Sequence, residues 1–205
     1  MAGGKAVKLL DFWASPFGMR CRIALAEKEI EYEFLEQNLQ DKSELLLKSN
    51  PVHKKIPVLI HDGRAICESL IIVQYIDEVF PGSPSSPPTP TRAYARFWAD
   101  FVDRKVHSGA NQMWKLKKER SWRKRRKRTY FGGDEFGLVD ITLVPYTPRF
   151  YSFEVFAGLS VEKECPRLAA WGKRCGERES VAKVLPDPMK AHEYFCTRRK
   201  KLGID

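Results

Sequence analysis

The chain has 205 residues, 43% of them hydrophobic and 30% charged, which is the composition of a globular protein of one or two domains and excludes wholesale disorder. No apolar run reaches the length of a bilayer span, and Met1-Ala2-Gly3-Gly4-Lys5 leads into no long apolar core, so neither a membrane helix nor a secretory leader is expected. The net charge of +10 is concentrated in Lys115 to Arg128, where ten Lys/Arg face one Glu; the remainder is close to neutral, so the charge asks for a local explanation.

In chain order, Val7 to Phe12 reads as a buried strand. Ser15 stands where an N-cap belongs, with Pro16 at the first helical position and helix-forming residues running to Lys28. Glu31 to Glu36 alternates with Tyr32 and Phe34 on one face, which predicts a second strand. Asp41 is expected to cap a short helix that ends near Lys48. Pro57 to Ile60 and Ala65 to Cys67 read as two further strands, joined by the hairpin signal Asp62-Gly63. Glu68-Ser69 opens an apolar helix that reaches about Val79. This order predicts a mixed sheet flanked by helices.

Pro81 to Thr91 carries five prolines and marks the expected domain boundary. Beyond it no strand is expected. Phe97/Trp98, Phe101/Val102, Val106 and Met113/Trp114 recur at helical spacing, so an amphipathic helix is expected from Arg92 to about Lys118. Leu138 to about Phe156 is mostly apolar, with Asp140 in its first turn and with Pro145 and Pro148 expected to bend it. Pro166 and Pro188 each start another helix.

Five cysteines with no Cys-x-x-Cys pair suggest reduced thiols in the cytosol, and four scattered histidines give no metal spacing. Three local features carry chemistry. Ser15-Pro16-Phe17-Gly18 puts a hydroxyl at a helix N-terminus, among unpaired N–H groups that stabilise an anion such as a thiolate; the same serine could equally be a plain cap. Lys55-Ile56-Pro57-Val58 leads into a strand, where a cis proline would mark a tight functional turn and a trans one an ordinary strand start. Glu68-Ser69 offers a hydroxyl and N–H groups to a carboxylate, and a carboxylate to an ammonium group, or else a capped helix with an acidic first turn. Together, at successive element ends of one small sheet, these groups are what a small zwitterionic thiol peptide needs.

The stretches LLDFWASPFGMRCRIALAEKEIEYEF, SNPVHKKIPVLIHDGRAICESLIIVQYIDEVFP, ARFWADFVDRKV and YFGGDEFGLVDITLVP make the chain resemble a plant tau-class glutathione transferase. The resemblance resumes in ECPRLAAWGKRC, ESVAKVLPD and RKKLGID and covers nearly everything except about Lys115 to Arg128. It implies an α/β thioredoxin-like domain over residues 1–80, a Pro-rich linker over 81–91 and an all-helical domain over 92–205. It implies an enzyme of detoxification and stress response that conjugates glutathione, as co-substrate and with no permanent cofactor or metal, to small hydrophobic electrophiles held between the two domains. Glutathione peroxidase activity, a homodimer and a cytosolic location come with it. The resemblance assigns Ser15 the hydrogen bond to the glutathione sulfur, and Lys42 and Lys55 the glycyl carboxylate end. Ile56 and Pro57, with a cis bond between them, would take the cysteinyl part; Glu68 and Ser69 would take the γ-glutamyl group. Phe12, Phe17 and Arg20, with His107, Asn111 and Trp114, fall where the family lines its electrophile pocket or rim. Cysteine at position 15 would suggest thiol–disulfide exchange instead; Cys21, further along the helix, reads as a packing residue.

The departure is KLKKERSWRKRRKR, which stands where the family has a longer amphipathic helix; the segment is short by roughly a dozen residues, about three helical turns. Read locally it is a solvated loop, or alternatively a nuclear address or RNA-binding run, with nucleic acid the less favoured partner. A catalytically weak or inactive ligand-binding protein is the second functional reading, because this segment shortens the helical domain.

Overall fold

The computed structural model describes residues 7–82, 90–113, 130–131 and 133–204. The basic run Lys115–Arg128 and the proposed pocket residue Trp114 lie outside the described residues. The chain divides into two compact units, Met1–Ser85 and Ser86–Asp205.

The first unit is built as β1 (Val7–Asp11), α1 (Pro16–Glu27), β2 (Glu33–Glu36), α2 (Glu44–Ser49), β3 (Val58–His61), β4 (Arg64–Cys67) and α3 (Ser69–Val79). The sheet order is β2-β1-β3-β4. β1 and β2 are parallel, joined through α1, while β1–β3 and β3–β4 are antiparallel. Alternation along β1 and β3 sends Leu9 and Leu59 to one face and Leu10, Val58 and Ile60 to the other. The second set packs with Leu46 of α2, while α1 and α3 pack together and α3 lies against β3 and β4. These buried aliphatic side chains each contribute up to about 1.5–3 kcal/mol. The hairpin Asp62-Gly63 has φ of +51° and +73°, the two left-handed residues that a tight hairpin turn needs.

Two expectations change. The cap of α2 is Ser43, whose hydroxyl accepts from Leu46 N at 3.1 Å, and not Asp41. On β2 the residue that turns inward is Leu35, against the Leu10–Val58 cluster, while Phe34 is exposed. β2 is an edge strand, and one partly buried side chain suffices to seat it.

Gly18, in the first turn of α1, is held by a close approach. A Cβ there would lie 1.7 Å from the carboxylate of Asp11, which is buried and cannot swing aside. Gly18→Ala is therefore expected to cost about 1–3 kcal/mol as an overpacking change, read as a lower melting temperature; an unchanged melt would show that β1 and α1 can slide apart.

The second unit is helical among the described residues: α4 (Thr91–Phe101), a π-helical stretch Val102–His107, and α5 (Ser108–Met113) run on from one another. They are followed by α6 (Leu138–Leu143), a 3₁₀ stretch Val144–Arg149, α7 (Phe150–Ala157), α8 (Val161–Glu164), α9 (Pro166–Gly176), α10 (Glu179–Ala182) and α11 (Pro188–Lys201). The bend expected at Pro145 and Pro148 is the 3₁₀ stretch itself. Its core joins Val102, Ala110, Tyr146, Phe153, Val161 and Ala169. Asp140 is fully buried at the N-terminus of α6 and accepts from Trp171 Nε1 (2.7 Å), Phe131 N (2.9 Å) and Gly137 N (3.1 Å). No helix among the described residues is long and apolar enough to cross a membrane.

Candidate active site

Ser15 ends the turn between β1 and α1, its N–H donating to the Phe12 carbonyl at 2.9 Å. Its backbone is extended (φ −76°, ψ 118°), and Pro16 follows as the first helical residue. The hydroxyl oxygen accepts from Gly18 N at 3.3 Å. A hydroxyl has two acceptor sites and one donor. Capping uses an acceptor, so the O–H remains available to a sulfur above the helix end. The two readings of Ser15, cap and thiolate partner, are thus compatible in one geometry. The first turn of α1 carries no acidic residue of its own, and its unpaired N–H groups and the positive end of the helix dipole favour an anion there. Cys21 is fully buried, and burial pushes its thiol well above the ordinary range, which makes it inert.

The Ile56–Pro57 peptide bond is cis. Ile56 is half-buried against the core, and Pro57 is buried one residue before the ladder begins at Val58, opposite Cys67. The loop ahead of it is braced by Asn50, buried to 3%, whose side chain donates to the Lys55 carbonyl at 2.9 Å and accepts from His53 N at 3.1 Å. Lys42 and Lys55 are both exposed.

Glu68 sits between β4 and α3 with φ +71°, a left-handed conformation that a non-glycine residue adopts at a cost of about 1–3 kcal/mol. Its carboxylate is exposed and 3.9 Å from His53 Nε2. Ser69, the first residue of α3, is buried, and its hydroxyl accepts from Arg20 Nη1 at 3.2 Å. Arg20 is completely buried, with its guanidinium 4.9 Å from the Phe17 ring centroid. It therefore ties the interior of α1 to the start of α3, and it does not stand at a rim. Phe12 and Phe17 are half-buried on either side of Ser15 in sequence.

In the second unit, His107 Nδ1 lies 3.0 Å from the Tyr146 hydroxyl, and Asn111 Nδ2 lies 2.8 Å from His107 Nε2. With the amide nitrogen donating to Nε2, the ring proton sits on Nδ1 and points to Tyr146. Both side chains are half-buried. No cluster of three or more metal-binding side chains occurs among the described residues.

Residue reasoning missed Asn50, Asp11 and Arg22. Asn50-Pro51 is a turn signal that could have flagged the first. For the other two, the only hint is a lone carboxylate inside the apolar run Leu9-Leu10-Asp11-Phe12-Trp13.

Known proteins resemble this chain along its whole length. The glutathione S-transferase N-terminal domain model matches residues 5–78, and the corresponding C-terminal domain model matches 115–179. The chain is 48% identical to a probable glutathione S-transferase of rice, Oryza sativa subsp. indica, with both chains fully covered. That alignment runs over 231 positions against 205 residues here, so the rice protein has stretches that this chain lacks. It is 50% identical to glutathione S-transferase U25 of Arabidopsis thaliana, covering 97% of each chain. Among solved structures it superposes on a rice enzyme, GSTU1 crystallised with glutathione, at TM-score 0.88 and 45% identity, covering 98% of this chain and 99% of that one. It superposes on the tau-class enzyme of mango, Mangifera indica, at TM-score 0.80 and 37% identity, covering 94% and 98%. A serine-capped helix beside a cis-proline loop is common to too many proteins to name one, but with identity at this level from end to end, the chain belongs to the tau class of the glutathione S-transferase family.

Proposed function

We propose that the protein is an active transferase that joins the sulfur of glutathione to small apolar electrophiles, with Ser15 as the catalytic residue. The observation that carries this is the Ser15 geometry: its oxygen is engaged by the helix N-terminus while its O–H is left to donate. The hydroxyl and the positive end of α1 favour the thiolate over the thiol. The thiolate attacks the electrophilic carbon, the carbon–sulfur bond forms, and the leaving group departs with the bonding pair; the thiol proton goes to solvent. With a hydroperoxide the same thiolate is oxidised and a second glutathione closes the disulfide, releasing alcohol and water. Phe12 and Phe17 supply apolar surface next to the sulfur. Lys42 and Lys55 serve the glycyl carboxylate, the Ile56–Pro57 backbone serves the cysteinyl part, and Ser69 with Glu68 serves the γ-glutamyl end.

Glu68 gives the sharpest binding test. Its carboxylate is exposed and unusually presented by a left-handed backbone. Glu68→Gln keeps the shape and removes the charge that would meet the ammonium group. A charge-assisted hydrogen bond is worth about 1.5–3 kcal/mol, so the KM for glutathione should rise by roughly tenfold or more. The melting temperature should hardly move, because the side chain is at the surface. An unchanged KM would remove Glu68 from the site.

The second reading, a protein that binds glutathione without transferring it, gains no support from relatives that match across the full chain. We also infer a homodimer in the cytosol. The aromatic side chains Tyr94, Phe97 and Phe101 are exposed on α4, which supports a partner surface, and all five cysteines are free, which fits a reducing compartment. Turnover of a chlorodinitrobenzene by the purified protein tests the proposal; no conjugate with this or a hydroperoxide substrate, from a protein that melts cooperatively, would refute it.

A further inference from the structure

Beneath the Ser15 turn lies an ion pair that none of the binding roles above uses. Asp11 closes β1; its side chain is fully buried, and its main-chain carbonyl accepts from Gln37 N at 2.8 Å. Arg22, about two turns into α1, brings Nε to 3.1 Å from Asp11 Oδ2. Its Nη2 donates to the Trp13 carbonyl at 2.8 Å. The Phe34 ring lies 5.7 Å from the guanidinium carbon. A single planar guanidinium thus joins the strand end, the helix and the middle of the turn that carries Ser15 two residues later. Asp11 also touches the first turn of α1 directly, since its carboxylate fills the space that a side chain at Gly18 would need.

We propose that Asp11 and Arg22 are positioning residues of the transfer reaction: the Asp11 carboxylate holds the Arg22 guanidinium, which holds the Trp13 carbonyl and so fixes the Ser15 hydroxyl at the glutathione sulfur. This rests on the transferase reading above. The geometry has a consequence for pH. Burial pushes the Asp11 carboxyl up to about 7, against the pull of Arg22. The other titratable groups that face it are Cys21 on α1, Glu36 at the end of β2 and Tyr32 just before that strand. Above about pH 7 the carboxylate is charged and attracts Arg22; below it the carboxyl is neutral and that attraction is lost. Turnover therefore gains with rising pH from two ionisations, that of the bound thiol and that of Asp11.

The test uses the full chain in four forms: wild type, Asp11→Asn, Arg22→Lys and Arg22→Met. Each is measured for kcat and KM across pH, for the ultraviolet thiolate band of bound glutathione, and for melting. Arg22→Met should lower kcat about tenfold and raise the bound thiol's pKa by about one unit, with KM for glutathione within about twofold. Arg22→Lys should recover part of the loss, because it keeps the charge but gives up the two-pronged contact. Asp11→Asn should lose the ionisation near 7 from its kcat profile. Wild-type kcat, profile and thiolate band in Arg22→Met and Asp11→Asn would overturn the proposal, and so would losses confined to melting temperature. If Arg22→Met does not fold, the near-isosteric Asp11→Asn and Arg22→Lys decide on the same readouts. Failure of the underlying reading looks different: wild type itself then shows neither a thiolate band nor transfer, which overturns both.

Discussion

Replacing Ser15 by alanine is expected to lower kcat by roughly tenfold to a hundredfold while leaving glutathione affinity within about threefold, because a hydrogen bond to a charged group is worth about 1.5–3 kcal/mol. In the proposed mechanism the hydroxyl meets the sulfur as the thiolate forms, so its loss falls on ionisation and not on capture of the peptide. In the proposed site, capture is spread over Glu68, Ser69, the Ile56–Pro57 backbone and the two lysines, none of which the substitution touches. Alanine also removes the cap, since the Ser15 oxygen accepts from Gly18 N. That costs about 1 kcal/mol of stability. The melting temperature should therefore drop modestly, and Ser15→Thr, which keeps a hydroxyl cap, separates the two effects. A Thr variant with an intact melt and partial turnover is expected; full turnover in the alanine variant would remove the hydroxyl from the chemistry. Steady-state kinetics beside calorimetric glutathione binding reads both quantities.

The largest effect on stability is expected far from the chemistry, at Asp140. Burial pushes its pKa up, while the N–H groups of Phe131, Trp171 and Gly137 pull it down by donating to it. All three are donors, so they are matched to a carboxylate, which only accepts. Asp140→Ala leaves the three of them facing an apolar gap and removes the brace between the start of α6, the Phe131 backbone and α9. Breaking a buried charged arrangement of this kind costs about 3–5 kcal/mol. For a chain of this size that is a fall on the order of 6–20 °C in melting temperature. Asp140→Asn should cost less, since one carbonyl oxygen still accepts from Trp171 and Phe131 while the amide nitrogen meets the Gly137 N–H. Differential scanning calorimetry on both variants checks the order; an alanine variant that melts within a few degrees of wild type would mean that water replaces the carboxylate.

What could be read from the chain was what its chemistry decides locally. Ser15 before Pro16, Asp62-Gly63 between two apolar runs, and the proline pair inside Leu138–Phe156 each act within a few residues, and each appears in the structure where the sequence puts it. The cap of α2 went to Ser43 and not Asp41 because both residue types cap well and stand two positions apart. Phe34 turned outward because an edge strand needs only Leu35 for its seat. Contacts between distant positions were out of reach. Arg20 meets Ser69 across 49 positions, and Trp171 meets Asp140 across 31. No pattern in composition or spacing pairs them. The Asp11–Arg22 pair is short-range in sequence, yet it too depends on the tertiary approach of β1 and α1, which brings the two charges together inside the unit.

The most direct test of the account is a spectroscopic titration of glutathione bound to wild type and to Ser15→Ala, following the thiolate band against pH. The account predicts a bound thiol that ionises at least a full pKa unit below the free value of about 8.5 in wild type, and that returns most of the way to it in the alanine variant. The same titration curve in both proteins would contradict it, because the thiolate would then owe nothing to the hydroxyl at the end of α1.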